Sequence, residues 1–228
     1  MEGRIDGLEE LALRRLVEGV TYLLYAALGM IAAGFAVLVV VIMSLILGTA
    51  FLILALLIAY LIVVVITYLY YLAARNLRSF VEVASNVWSE VKVIEKPATF
   101  MYYGGLGSLV GAASLIIAVG FVILPLASIV FNVGVILFFI ELSRINRLGA
   151  QAARASWIIG VAAGVMFFSS ILAGLFSLLG ASPGVLVLQL ATSLASLAGL
   201  IVYIYGLISL SAVIRSNLLV TSGGAASG

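Results

Sequence analysis

The chain contains no cysteine and no histidine, and Asp6 is its only aspartate. Without thiols or imidazoles there is no disulfide, no thiolate nucleophile, no redox pair, and no cysteine- or histidine-based zinc or haem site. Charge is scarce as well: 9% of the 228 residues are Asp, Glu, Lys or Arg, against about 25% in a soluble domain. Apolar residues fill the gap. At 65% hydrophobic residues and a mean hydropathy of +1.37, too little polar surface remains to cover a water-soluble globule. The sequence is that of an integral membrane protein, and the lipid bilayer is its first expected partner.

Three stretches lack any charged residue: 19–74, 97–140 and 155–214. A helix needs about 20 apolar residues to cross the hydrocarbon core, so each stretch holds two crossings. Each also carries a turn signal near its middle, at Gly48-Thr49, Leu124-Pro125 and Gly180–Gly184. Runs of β-branched residues such as Ile62–Ile66 do not alternate with polar ones, which excludes barrel strands and leaves helices. The expected fold is all-α and polytopic: six transmembrane helices over 20–46, 51–74, 99–123, 126–146, 155–179 and 186–211, paired as three hairpins.

The single membrane domain then divides into a cytoplasmic interfacial segment (1–18), hairpin 1 (19–74), a cytoplasmic amphipathic linker (75–96), hairpin 2 (97–146), hairpin 3 (147–215) and a flexible Gly/Ala/Ser-rich tail (216–228). All eleven basic residues fall before span one, between spans two and three, between spans four and five, or after span six. With an even number of spans those segments share one side of the membrane. Basic bias marks that side as cytoplasmic, so both termini are expected there, in a multi-pass cell-membrane protein. The apolar run that follows the acidic N-terminal segment is too long for the core of a cleavable signal peptide.

Two polar segments have helical periodicity. Asp6-Gly7-Leu8-Glu9 resembles a capping box. Beyond it Leu8, Leu11, Ala12 and Leu16 share one face, with a Glu10/Arg14 pair on another, and Gly19 is expected to let the chain turn into span one. From Arg75 to Lys96, Leu77, Phe80, Val81, Ala84, Val87, Trp88 and Val91 recur at helical spacing, which predicts one amphipathic helix ending before Pro97. It either lies on the membrane or prolongs span two, and its apolar face covers its own bundle or meets a partner. Residues 5–16 and 77–91 are the cytoplasmic elements expected to contact one. The odd spans also begin alike, at Tyr25–Gly29, Tyr103–Gly107 and Ser156–Gly160, each with a small residue four positions on. That is the pattern of close helix packing and, alternatively, of a triplicated hairpin.

The layout resembles an uncharacterised family of archaeal multi-span membrane proteins, a domain of unknown function. The resemblance is carried by Gly7-Leu8-Glu9-Glu10-Leu11, Tyr103-Gly104-Gly105-Leu106-Gly107 and Arg144-Ile145-Asn146-Arg147. It implies an archaeal cell membrane and supplies no site residue.

Intramembrane hydrolysis would need a Ser with His or Lys, paired Asp residues or a metal, and none can be assembled within the spans. Gly104-Gly105-Leu106-Gly107 lacks the Lys-Ser/Thr of a nucleotide loop, and the few basic residues give nucleic acid no footing. No enzymatic chemistry, catalytic residue, metal or cofactor is expected. Three polar positions remain. Leu126–Ile140 gives only about 22 Å of helix against a core of about 30 Å, so span four is expected to run on and set Glu141 deep, paired with Arg144 or a neighbour such as Arg75 or Arg215. Asn132 and Gln189 are expected in the outer half, either bonding across helices or forming a polar pocket with Ser128 and Thr192. Most tyrosines, with Trp88 and Trp157, map to an aromatic belt, whereas Tyr60, Tyr203 and Tyr205 lie deeper and call for hydroxyl partners.

These features point to a structural or accessory protein that associates either with itself as a homo-oligomer or with a partner membrane protein. The alternative is a transporter or channel for a neutral or apolar solute. Three hairpins with both ends on one side are similar to the layout of mitochondrial carriers, whose charged proline signature is absent here.

Overall fold

The computed structural model describes the backbone of residues 2–47, 49–117, 119–180 and 182–224, and side chains within 7–40, 42–44, 53–117, 119–180 and 182–218. Six long helices build it: α1 (Glu2–Leu47), α2 (Thr49–Ala84), α3 (Glu95–Ala113), α4 (Gly120–Leu142), α5 (Gly149–Leu178) and α6 (Pro183–Gly224). Short 3₁₀ turns at Ser89–Ile94, Ser114–Ile117 and Asn146–Leu148 join some of them, and no strand occurs among the described residues. All six helices are long and apolar enough to cross a membrane.

The helices pair as three antiparallel hairpins, α1/α2, α3/α4 and α5/α6. Contacts of α2 with α3, α4 with α5 and α6 back onto α1 close them into a ring in chain order. The charged residues gather at one end of this ring, and the hairpin turns lie at the other.

Helix ends correct several sequence expectations. α1 is continuous from Glu2, so Asp6 lies inside the helix rather than capping it, and the chain does not turn at Gly19. A Cβ on Gly19 would sit 2.6 Å from the Leu77 side chain and 3.2 Å from the Ala73 carbonyl, so this glycine serves close packing of α1 on α2. The expected single helix over 75–96 is instead the end of α2, a break with Trp88 in extended conformation, and a 3₁₀ turn. Pro97 does not end it; it stands in the first turn of α3, where a missing N–H costs nothing.

The second hairpin turn falls between the 3₁₀ turn Ser114–Ile117 and the start of α4 at Gly120, not at Leu124-Pro125. Pro125 is inside α4, where the lost backbone bond is tolerated as in other membrane helices. At the third turn Gly180 takes φ +86° just beyond α5, Ser182 Oγ accepts the Val185 N–H at 3.4 Å, and Pro183 opens α6. Gly48 of the first turn lies outside the described residues. In the tail expected to be flexible, α6 runs on to Gly224, and the last four residues lie outside the description.

Burial is uneven along the ring. Next to the charged end a continuous core joins Leu16 and Leu23 of α1, Leu77 and Phe80 of α2, Met101 of α3, Phe138, Phe139 and Leu142 of α4, Ile159 of α5, and Leu207, Leu210 and Ile214 of α6. The apolar stripe of residues 77–91 goes into this core, as do Ala12, Leu13 and Leu16. Trp88 packs edge-on to Phe80 with ring centroids 6.2 Å apart. The elements expected to meet a partner therefore spend most of their apolar faces on the chain's own bundle, with Leu11 left exposed. Toward the turn end the picture reverses: among described side chains none is buried between Leu28 and Ser44 of α1, or between Ser182 and Ala198 of α6.

The α3/α4 hairpin is the tightest. A Cβ on Gly104 would lie 2.4 Å from the Phe131 nitrogen, one on Gly111 2.7 Å from the Leu124 nitrogen, and one on Gly134 2.6 Å from the Met101 nitrogen. The two backbones touch nearly directly, the packing that small residues permit in lipid. The matching glycines of the odd helices are not equivalent, however. Gly29 and Gly107 face their own hairpin partners at Ile66 and Ala127, whereas Gly160 faces Ile140 of the preceding hairpin and Gly164 faces open space. In hairpins one and two these glycines face the partner helix of their own hairpin, closely only in the second, and hairpin three departs from that arrangement.

Candidate functional site at the centre of the ring

Tyr70 and Tyr203 lie on the buried stripes of their helices. Tyr70 is in phase with Ala73, Ala74, Leu77 and Phe80, and Tyr203 with Leu207, Leu210 and Ile214. Helical spacing therefore carries both rings inward, above the apolar core and away from the aromatic belt expected for Tyr70. The Tyr70 hydroxyl donates to Met30 Sδ at 3.2 Å, and its ring packs on Phe131 with centroids 4.7 Å apart. Tyr203 is 5% exposed. Together with Met30, Phe131, Asn132, Val135, Ala163 and Met166 the two tyrosines line a cavity of about 30 Å³. Five of the six helices contribute to its wall. The exception, α3, is packed behind α2 and α4.

Asn132 stands close to the midpoint of α4, deeper than expected, because α4 begins at Gly120 and not at residue 126. It does not bond across helices: its Nδ2 donates to the Ser128 carbonyl at 2.8 Å and to Ser128 Oγ at 3.3 Å, one turn back. Gln189 does bridge two helices, donating from Nε2 to Ser177 Oγ of α5 at 3.1 Å, while Thr192 beside it returns its hydroxyl to the Leu188 and Gln189 carbonyls. The structure thus puts Asn132 with Ser128 in the bundle centre and Gln189 with Thr192 and Ser177 near the turn end. One shared pocket of all four is not formed.

Glu141 sits at the charged end, one residue before the end of α4. The helix gains its length from the turn side, from 120 to 125, and ends at Leu142 without running on to Ile145. The carboxylate, 22% exposed, accepts two bonds of 3.0 Å from Arg144, whose side chain is 70% exposed. A pair with so exposed an arginine contributes little. Glu141→Gln should cost less than about 1 kcal/mol in thermal unfolding, close to the effect of the same change at exposed Glu90.

The remaining aromatic residues follow the belt more closely. Tyr25, Tyr68, Tyr103 and Trp157 are exposed near the charged end, and Arg78 stacks over Tyr102 at 4.7 Å. Trp88, assigned to the same belt, is instead buried with its Nε1 unpartnered. Of the deep tyrosines, Tyr60 reaches the Ala113 carbonyl at 3.5 Å, and Tyr205 points out of the bundle. Tyr203 is buried with no hydrogen-bond partner among the described residues.

A second hollow of about 140 Å³ lies between α1 and α2 toward the turn end, lined by Ala36, Val37, Val40, Ala55, Ala59 and Ile62 among others. Its wall is wholly aliphatic, suited to a lipid chain and without groups for chemistry. No group of three or more acids able to hold a metal occurs among the described residues. No protein-family model, no curated protein and no solved structure matches the chain.

Proposed function

We propose that this multi-pass membrane protein works without enzymatic chemistry, as a structural or accessory component of the cell membrane, with both termini cytoplasmic. The observation that carries this reading is the contrast along the ring. The half next to the charged end has a continuous packed core, and the central cavity has room for about two water molecules at most. A route for a larger solute is difficult to place there. Toward the turn end, in contrast, α5 and α6 keep exposed apolar residues such as Phe168, Leu172, Leu186 and Leu190 that no other helix of the chain covers. Those faces meet lipid, a second copy or a partner membrane protein.

Counting copies directly tests the proposal. The fluorescently tagged protein, expressed in its membrane and captured in lipid nanodiscs, should bleach in more than one step or co-isolate a second membrane protein. A single copy without companions, combined with flux of a neutral solute through reconstituted liposomes, would replace this reading by the alternative. That alternative, a channel or transporter for a neutral solute, is favoured by one observation: the polar groups Tyr70, Asn132 and Tyr203 converge midway along the bundle.

A further inference from the structure

We propose that the cavity at the ring centre is a hydration site, holding one or two water molecules that bridge the Tyr203 hydroxyl, the Asn132 amide and the Tyr70 hydroxyl. Tyr203 is 5% exposed and lines the cavity, and its hydroxyl makes no direct hydrogen bond among the described residues, yet it is not one of the fully buried unpartnered atoms, Trp88 Nε1 and Ser156 Oγ. Asn132 commits an Nδ2 proton to Ser128, which leaves its Oδ1 and a second proton, while Tyr70 gives its proton to Met30 Sδ and keeps its oxygen lone pairs. Donors and acceptors are therefore both on offer in a region where lipid and aliphatic side chains supply neither.

The volume agrees with this assignment. A water needs roughly 10–15 Å³ of such space and two to four polar partners, so about 30 Å³ holds two at most. An ion is disfavoured, because no charged side chain lines the cavity and a bare charge is costly in this surrounding. A purely apolar guest would leave the Tyr203 hydroxyl unsatisfied. Water fits the size, the donor–acceptor balance and the neutrality of the wall, and it ties α2, α4 and α6 together at the one level where their polar groups meet.

The test is an experimental structure of the full chain in lipid nanodiscs, at a resolution that shows ordered water. One or two rounded density peaks within hydrogen-bond distance of Tyr203 Oη and the Asn132 side chain are expected. They should be lost in the double variant Tyr203→Phe/Asn132→Leu. An empty cavity in the unaltered protein would overturn the assignment, as would density too long for water, or peaks that persist in the double variant. Should that variant fail to fold, the density in the unaltered protein decides.

Discussion

Gly104→Ala is expected to destabilise the protein by about 3 kcal/mol or more. The new Cβ would lie 2.4 Å from the Phe131 nitrogen, 2.6 Å from its Cα and 2.9 Å from its Cβ. Two of those three atoms are backbone, which no rotamer change can move. Helices α3 and α4 would have to separate, losing the contacts of Gly111 on Leu124 and Gly134 on Met101 along the same seam. Gly174→Ala is the matched control, since a Cβ there meets nothing within 4 Å. That change should be neutral, or stabilising by roughly 0.5–1 kcal/mol through helix propensity. Thermal unfolding of both variants in one detergent compares them; equal losses would contradict the backbone-to-backbone packing of α3 on α4.

Phe138→Ala should cost about 3–5 kcal/mol, whereas Phe168→Ala should cost less than about 1 kcal/mol. Phe138 is fully buried in the core next to the charged end, edge-on to Phe139 at 5.3 Å. Its removal leaves a void between α4 and its neighbours that close-packed side chains fill only in part. Phe168 is 63% exposed on α5, and its loss opens no internal cavity. The same unfolding assay separates the two. A comparable loss from both would mean that the outer surface of hairpin three is covered in the folded protein, as a stable oligomer would cover it.

The sequence is most legible where charge is involved. Segregation of the basic residues, the length of the charge-free stretches and the Gly180–Gly184 turn signal give six helices in three hairpins, and the ring has them. The Glu10/Arg14 and Glu141/Arg144 pairs follow from helical spacing alone and are formed. The second turn was harder to read because it has almost no polar marker. Residues 114–119 are as apolar as the helices they interrupt, and Pro125 was the more conspicuous signal. The determining residue is Gly120, where a Cβ would fall 2.2 Å from the Gly111 carbonyl, a constraint visible only once the chain is folded back. A turn read at Pro125 shortens span four and so places Asn132 too far toward its outer end.

The centre of the ring was partly legible. Position along the span marks Tyr203 as deep and polarity marks Asn132 in span four, but adjacency to Tyr68 and Tyr71 places Tyr70 at the interface. Its spacing from Ala73, Ala74 and Leu77 was the available signal, since residues three, four and seven apart share a helix face. What spacing along single helices does not contain is which helices converge. Gln189 and Asn132 look alike in sequence, yet one joins α5 to α6 and the other bonds back to its own turn. The difference arises from the ring arrangement, which brings α4 to the centre and leaves the turn-side half of α6 at the periphery.

Orientation in the membrane is the premise on which the whole account rests, and a chain without cysteine makes it directly measurable. Single cysteines at Ser182, in the turn between α5 and α6, and at Lys92, exposed between α2 and α3, can be probed on intact cells with a membrane-impermeant maleimide. Ser182→Cys should be labelled from outside, and Lys92→Cys only after the membrane is opened, as the one-sided distribution of basic residues requires. Labelling of Lys92→Cys on intact cells, with Ser182→Cys protected, would contradict it.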